Sequence, residues 1–277
     1  MDTLSFIKMH GIGNDFVVID ARQQRLELSR AQACAIATRH TGIGCDQLII
    51  IENPGDEHAD AFMRIYNTDG SEAEACGNAT RCVASLILSE SDSRHCIIET
   101  VAGLLDCETA EGGLISVDMG PANLDWRDIP LSQAIDTLHL GIGSGPLQDP
   151  VGVNMGNPHA VFFVDDASVV DLAVHGPVCE RHKLFPQRAN VGVAQIISQD
   201  EIRLRVWERG VGETLACGSG ACAAIVAASR RGLINRRASV NLNGGTLLLE
   251  WLPDNHVLMT GPVAISFAGI IDPALLA

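Results

Sequence analysis

Short runs of β-branched and apolar residues recur along the chain, separated by turn-forming clusters, and between them stand two longer stretches that are small or apolar on every side. The runs predict strands at Phe16 to Asp20, Leu48 to Glu52, Ala61 to Tyr66 and Leu114 to Met119, and again at Ala160 to Val164, Val191 to Ile197, Ile202 to Trp207 and Thr246 to Trp251. Turn signals at Glu111-Gly112-Gly113, Asn243-Gly244-Gly245 and Pro253-Asp254-Asn255 point to antiparallel hairpins more than to crossover units. One nearly all small or apolar stretch follows Cys217 and runs through Ala221, Ala223, Ala224, Ile225, Val226 and Ala227 to Arg230-Arg231-Gly232, where basic residues and a glycine stop a helix. The other follows Cys76 and runs through Cys82, Val83, Leu86 and Ile87 to Glu90. Helices of this kind are buried ones. A third, surface helix is expected from Ser29, its cap, to Arg39.

The pattern occurs twice. Arg64-Ile65-Tyr66-Asn67 and Cys76-Gly77-Asn78 return as Arg205-Val206-Trp207-Glu208 and Cys217-Gly218-Ser219 at a constant offset of 141, which also relates Glu72 to Glu213 and Met119-Gly120-Pro121 to Thr260-Gly261-Pro262. Upstream, Gly13-Asn14-Asp15 answers Gly156-Asn157-Pro158 at 143, and Gly44 to Ile49 answers Gly192 to Ile197 at 148, matching Gln47 to Gln195. The drift signifies loops of unequal length. The expected fold is therefore α+β: two pseudo-symmetric domains, residues 1–121 and 122–263, each a mainly antiparallel barrel-like sheet around a central helix, with an active site in the cleft between them.

With 47% hydrophobic residues the chain can fill two modest cores. A formal net charge of −15 and scattered basic residues argue against nucleic-acid or anionic-membrane partners. The start shows no basic leader with a long apolar stretch, and the longest strongly apolar stretch, Leu48 to Ile51, cannot span a bilayer, so a cytoplasmic location is expected. Nine cysteines without Cys-x-x-Cys pairs suit reduced thiols.

Most cysteines act as small buried hydrophobes, the expectation for Cys82 and Cys222. Cys76 and Cys217 differ by position. A thiol at a helix entrance lies in a field that favours the thiolate, and Gly77 or Gly218 beside it lets a ligand approach bare backbone N–H groups. Two such thiols facing one small substrate suit stereoinversion: one removes a proton from carbon, and the other returns a proton to the opposite face. No cofactor is required. An amino-acid α-hydrogen is a far weaker acid than a thiol of pKa ~8.5, so N–H donors in a dry site must stabilise the developing charge.

Lys8 to Phe16, Asn67 to Asn78, Met155-Gly156-Asn157-Pro158-His159, Arg188 to Gly192 and Glu208 to Thr214 with Ala216 to Gly220 together resemble the diaminopimelate epimerases over nearly the whole chain. That resemblance implies a cofactor-independent, metal-free isomerase interconverting LL- and meso-2,6-diaminopimelate in lysine and peptidoglycan-precursor synthesis. Cys76 and Cys217 would be its acid/base pair, with His159 and Glu208 tuning the thiols. Substrate contacts would fall on Asn14, Gln47, Asn67, Gly77, Asn78, Asn157, Asn190, Glu208, Arg209, Gly218 and Ser219. It further implies a homodimer in which the C-terminal strand, residues 264–277, returns to the first domain. Ala75 and Ala79 depart from the family pattern, which more often has a larger residue and a glycine there.

The copies differ where Asn67 meets Glu208, Thr68 meets Arg209 and Phe16 meets His159. Glu208 and Arg209 are expected to recognise the distal ammonium and carboxylate of a substrate with two amino-acid ends; a surface ion pair is the plainer alternative. A proline racemase-like isomerase shares the paired-cysteine plan. A zinc or redox module is disfavoured, because the spacings Cys76 to Cys82 and Cys217 to Cys222 put each pair on different helix faces.

Overall fold

The computed structural model describes residues 4–276. The chain divides into two compact units, one comprising residues up to Val117 together with those from Gly261 on, the other Asp118–Thr260.

In the first unit, Leu4–Gly11 (β1) and Asn14–Asp20 (β2) form a hairpin. Its two turn residues, Ile12 and Gly13, both have positive φ (50° and 90°), the geometry whose twist matches paired strands. Helix Arg30–Ala37 (α1) follows, then Gln47–Glu52 (β3), Ala61–Asn67 (β4), Glu72–Ala73 (β5), helix Gly77–Ser89 (α2), His95–Thr100 (β6), Gly103–Thr109 (β7) and Ile115–Pro121 (β8). In α1, Ser29 and Gln32 form a reciprocal capping box, as the serine suggested. The helix stops at Ala37 instead of Arg39, because the carbonyls of Ile36 and Ala37 turn to accept the N–H groups of Ile43, Gly44 and Cys45.

The second unit repeats this order. After the small ribbon Gly143–Ser144 (β9) and Leu147–Gln148 (β10) come Val151–Asn154 (β11), Pro158–Phe163 (β12), helix Leu172–Glu180 (α3), Asn190–Ser198 (β13), Glu201–Glu208 (β14), Gly212–Thr214 (β15), helix Gly218–Arg230 (α4), Arg237–Leu242 (β16), Gly245–Trp251 (β17) and His256–Gly261 (β18). The last strand, Ala264–Ile271 (β19), pairs antiparallel with β1 in the first unit.

The three turn signals make hairpins, joining β7 to β8, β16 to β17 and β17 to β18. Crossovers are nonetheless present in both units: β2–β3, β4–β6, β12–β13 and β14–β16 are parallel pairs, each joined through a helix. Hairpins carry a local turn code, whereas a parallel pair is specified only by how its helix packs.

The helices α2 and α4 are the central ones. From Ala221 to Ala228 every residue of α4 is buried, as are Gly77 to Ala84 of α2. Each touches strands of its own unit on several sides; in α4 a run of small side chains lets the surrounding strands close in, while α2 also buries the large side chain of Arg81. Helix α3 escaped the sequence reading because Pro177 lies inside it and Gly176 precedes that proline. The glycine has a packing reason: a Cβ there would come within 2.7 Å of the Trp207 ring.

Candidate active site

Cys76 and Cys217 each occupy the N-cap position of a buried helix, in extended conformation (φ −153° and −127°). An N-cap residue stands outside the helical spiral, and the first N–H groups after it have no acceptor one turn earlier. Gly77 and Gly218 take the first helical positions, Asn78 and Ser219 the second. Cys82 and Cys222 are fully buried one to two turns in, and burial pushes the Cys82 thiol up to about 12.

Beside Cys76 stands the side-chain amide of Asn14. Its Sγ is 3.9 Å from Asn14 Oδ1, which also accepts from Asn78 Nδ2 at 3.2 Å. Asn78 Oδ1 in turn accepts from the fully buried Arg81 at 2.9 Å. Asn14 is held from the other side by Asp46, whose carboxylate accepts Asn14 Nδ2 at 3.0 Å and the Asp15 N–H at 3.1 Å. Burial opposes ionisation of Asp15, but hydrogen bonds from Arg39 and Lys8 outweigh it and hold the carboxyl well below the usual range. Asp46 and Arg81 were not singled out from the sequence; each stands one residue from, or one turn along from, a residue that was. Gln47 and Asn67 form a second cluster, directly opposite each other on β3 and β4, with Gln47 Nε2 donating to Asn67 Oδ1 at 3.1 Å.

Around Cys217 the neighbour is a carboxylate. The residue is 5% exposed, and burial followed by the charge of Glu208 raises the thiol well above its ordinary pKa; the Gly220 N–H and Ser219, whose Oγ lies 3.7 Å from Sγ, act the other way. The expectation that a helix entrance makes a thiolate therefore fails at Cys217, where desolvation and a like charge exceed the helix field. Glu208 is oriented by Thr214, whose hydroxyl donates to Oε1.

His159 is wholly buried and its Nε2 lies 2.7 Å from Asn157 Oδ1. Burial, and then the charge of Arg209, lower its pKa to about 3, so the imidazole is neutral. Asn190 braces the Glu208-Arg209 turn: its Oδ1 accepts the Arg209 N–H at 2.8 Å, while its Nδ2 donates to Pro158 O at 3.3 Å. The Arg209 guanidinium donates to Gln187 O at 3.1 Å.

Strand register corrects one correspondence. Phe16 lies opposite Gln47 in β2–β3, and His159 opposite Asn190 in β12–β13. The counterpart of Gln47 is thus Asn190, and Gln195 instead stands opposite Arg203. Within the first unit, an open depression of about 690 Å³ between Ala21–Leu28 and Glu52, Arg64 and Tyr66 contains none of the candidate residues.

This duplicated fold recurs in solved structures of low sequence identity. A hydroxyproline epimerase from Agrobacterium vitis superposes with a TM-score of 0.67 at 14% identity, covering 98% of this chain and 94% of that one. A phenazine biosynthesis protein of the PhzF family from Enterococcus faecalis gives 0.69 at 16% identity, over 98% of this chain and all of that one. Sequence narrows the class to one family. The family model described as diaminopimelate epimerase matches residues 6–124 and 151–266. A diaminopimelate epimerase of Rhodospirillum centenum is 60% identical over 271 residues, covering 98% of this chain and 93% of that protein, and one of Acidiphilium cryptum is 57% identical over 272 residues and 98% of both. The chain belongs to the diaminopimelate epimerase family.

Proposed function

We propose that the protein interconverts LL- and meso-2,6-diaminopimelate by a two-base mechanism without a cofactor. The observation that carries this reading is the pair of cysteines at matched N-caps of two buried helices, in a chain of this family. One thiolate takes the α-proton from one face of the reacting carbon. The other thiol gives its proton to the other face and is left as the thiolate, so the reverse reaction starts from the complementary state. Since burial and Glu208 hold Cys217 as a thiol, it is the donor in one direction and Cys76 is the base. Helix N–H groups at Gly77, Asn78, Gly218 and Ser219 receive the α-carboxylate and stabilise the charge that develops beside it. Asn14, Gln47, Asn67, Asn157 and Asn190 shape the polar surroundings, and Glu208 and Arg209 recognise the non-reacting ammonium and carboxylate.

Incubation in deuterated water with LL-diaminopimelate and, separately, L-proline tests the substrate. Exchange of the α-hydrogen with the first alone is expected; exchange with proline alone would favour a proline racemase-like activity.

The working form is a homodimer in the cytoplasm, serving lysine and peptidoglycan-precursor synthesis. A second copy of the chain is suggested by β19, where Ile265, Phe267 and Ile270 are 60%, 50% and 64% exposed in a short stretch of one strand. Replacing Phe267 by Lys is expected to shift the mass measured by light scattering from dimer to monomer; an unchanged dimer would exclude this strand as the interface. Among the described residues, no helix is long and apolar enough to cross a membrane.

A further inference from the structure

The end of α3 carries a buried carboxylate that the proposed reaction does not use. Glu180 is 2% exposed. Its Oε2 accepts the Trp207 indole N–H at 2.9 Å and its Oε1 accepts the Gly210 backbone N–H at 3.1 Å, with Arg188 Nη1 3.7 Å from Oε1. These two donors flank Glu208 and Arg209. With Asn190 holding the Arg209 N–H, the turn is tied at three points, Trp207, Arg209 and Gly210. The backbone of Glu180 also accepts the Ala189 N–H at 3.1 Å, so the same residue anchors the segment that delivers Asn190. Burying a carboxylate is costly, and it is retained where its oxygens are well bonded.

The repeat supplies an internal control. In the first unit Ala37 ends α1, and its carbonyl accepts the Cys45 N–H at 3.1 Å, two residues before Gln47, whereas that of Glu180 accepts the N–H one residue before Asn190. Tyr66 stands where Trp207 does, at the offset of the paired Arg and Cys residues. The copy that lacks the Glu-Arg dipeptide thus also lacks the carboxylate beneath it.

We infer that Glu180 is the positioning residue that fixes the Glu208–Arg209 pair for recognition of the substrate's distal, non-reacting end. It acts through the turn and does not touch substrate. Trp207 completes the arrangement: its ring packs on Gly176 and its N–H reads the carboxylate. This inference rests on the proposed role of Glu208 and Arg209.

The test compares Glu180→Gln, Trp207→Phe and Arg209→Lys in the full chain, measuring kcat, KM and the ratio of rates for the LL- and DD-isomers. Trp207→Phe removes only the indole donor, so it decides the matter if Glu180→Gln does not fold. A rise in KM of about five- to twentyfold is expected in the Glu180 and Trp207 variants, with kcat within about threefold and weaker rejection of the DD-isomer. If Arg209→Lys alters KM and stereochemical rejection while folded Glu180→Gln or Trp207→Phe leaves both within twofold, the positioning role is overturned. If Arg209→Lys itself changes neither, the distal-recognition reading fails instead. Equal loss of kcat and stability with an unchanged isomer ratio would make Glu180 merely structural and also overturn the inference.

Discussion

The two cysteine sites share a backbone plan and differ in what surrounds the sulfur. Cys76 is half-buried beside the amide of Asn14, which is linked through Asn78 to the buried cation of Arg81. Cys217 is buried beside the carboxylate of Glu208. The position in the helix is inherited by both copies, and at Cys217 the neighbours then raise the thiol. A two-base reaction needs one thiol and one thiolate, because a thiolate must meet a thiol and not another thiolate.

The most severe way to break the comparison is to remove either sulfur. Cys76→Ser and Cys217→Ser are each expected to lower epimerisation about a thousandfold, followed by optical rotation or by deuterium uptake. Full epimerisation by either single variant would contradict a two-base mechanism.

Making the second site resemble the first is gentler. In a Cys76→Ser background, Glu208→Gln removes the negative neighbour, so the Cys217 thiolate should form at lower pH. Its alkylation by iodoacetamide should move toward acid by at least about one pH unit, equivalent to about 1.4 kcal/mol. An unmoved profile would show that burial alone sets the thiol.

The third helical positions, Ala79 and Gly220, offer a smaller exchange. A Cβ at Gly220 would come within 3.1 Å of both Cys217 Sγ and Val206 Cγ2. Gly220→Ala is thus expected to lower kcat/KM about tenfold by displacing the sulfur, an effect of the size a misplaced catalytic group produces. Ala79→Gly should leave kcat/KM within twofold while costing about 1 kcal/mol in denaturant unfolding. Equal activity losses would remove the distinction between the two entrances.

The last contrast is in stability and not in activity, and concerns His159, whose counterpart is Phe16. The native state holds the imidazole neutral down to about pH 3, whereas the unfolded chain protonates near 6.5. The associated stability is fully present above pH 6.5 and is lost as pH falls toward 3, by at most about 1.4 kcal/mol per pH unit. His159→Phe should flatten that part of the stability profile, read by urea unfolding at several pH values. An unchanged slope would mean that His159 titrates normally.

Much of this was legible in the chain because the signals were local or duplicated. Both helices that follow the paired cysteines begin and end within a residue or two of their expected limits, since an apolar stretch between a Cys-Gly start and a polar stop has few other solutions. Gln47 was matched to Gln195 on residue likeness, yet strand register gives it Asn190. Alternating apolar runs look alike after a shift, and only cross-strand bonds settle register. Helix α3 was hidden by Gly176 and Pro177, and with it Glu180, whose partners are distant in sequence. The state of Cys217 was hidden for a related reason: the helix field is local and was counted, whereas desolvation is a property of the finished fold.

The pairing of β19 with β1 has a consequence for how the molecule is made. At roughly 5–20 residues per second, on the order of ten seconds separate emergence of the first unit's main segment from emergence of the strand that completes it. During that interval β1 can pair with β2 but its other edge stands open, while the intervening unit is contiguous and can fold as it appears. The second half of the polypeptide is thereby finished before the first, and the beginning of the chain waits on its end.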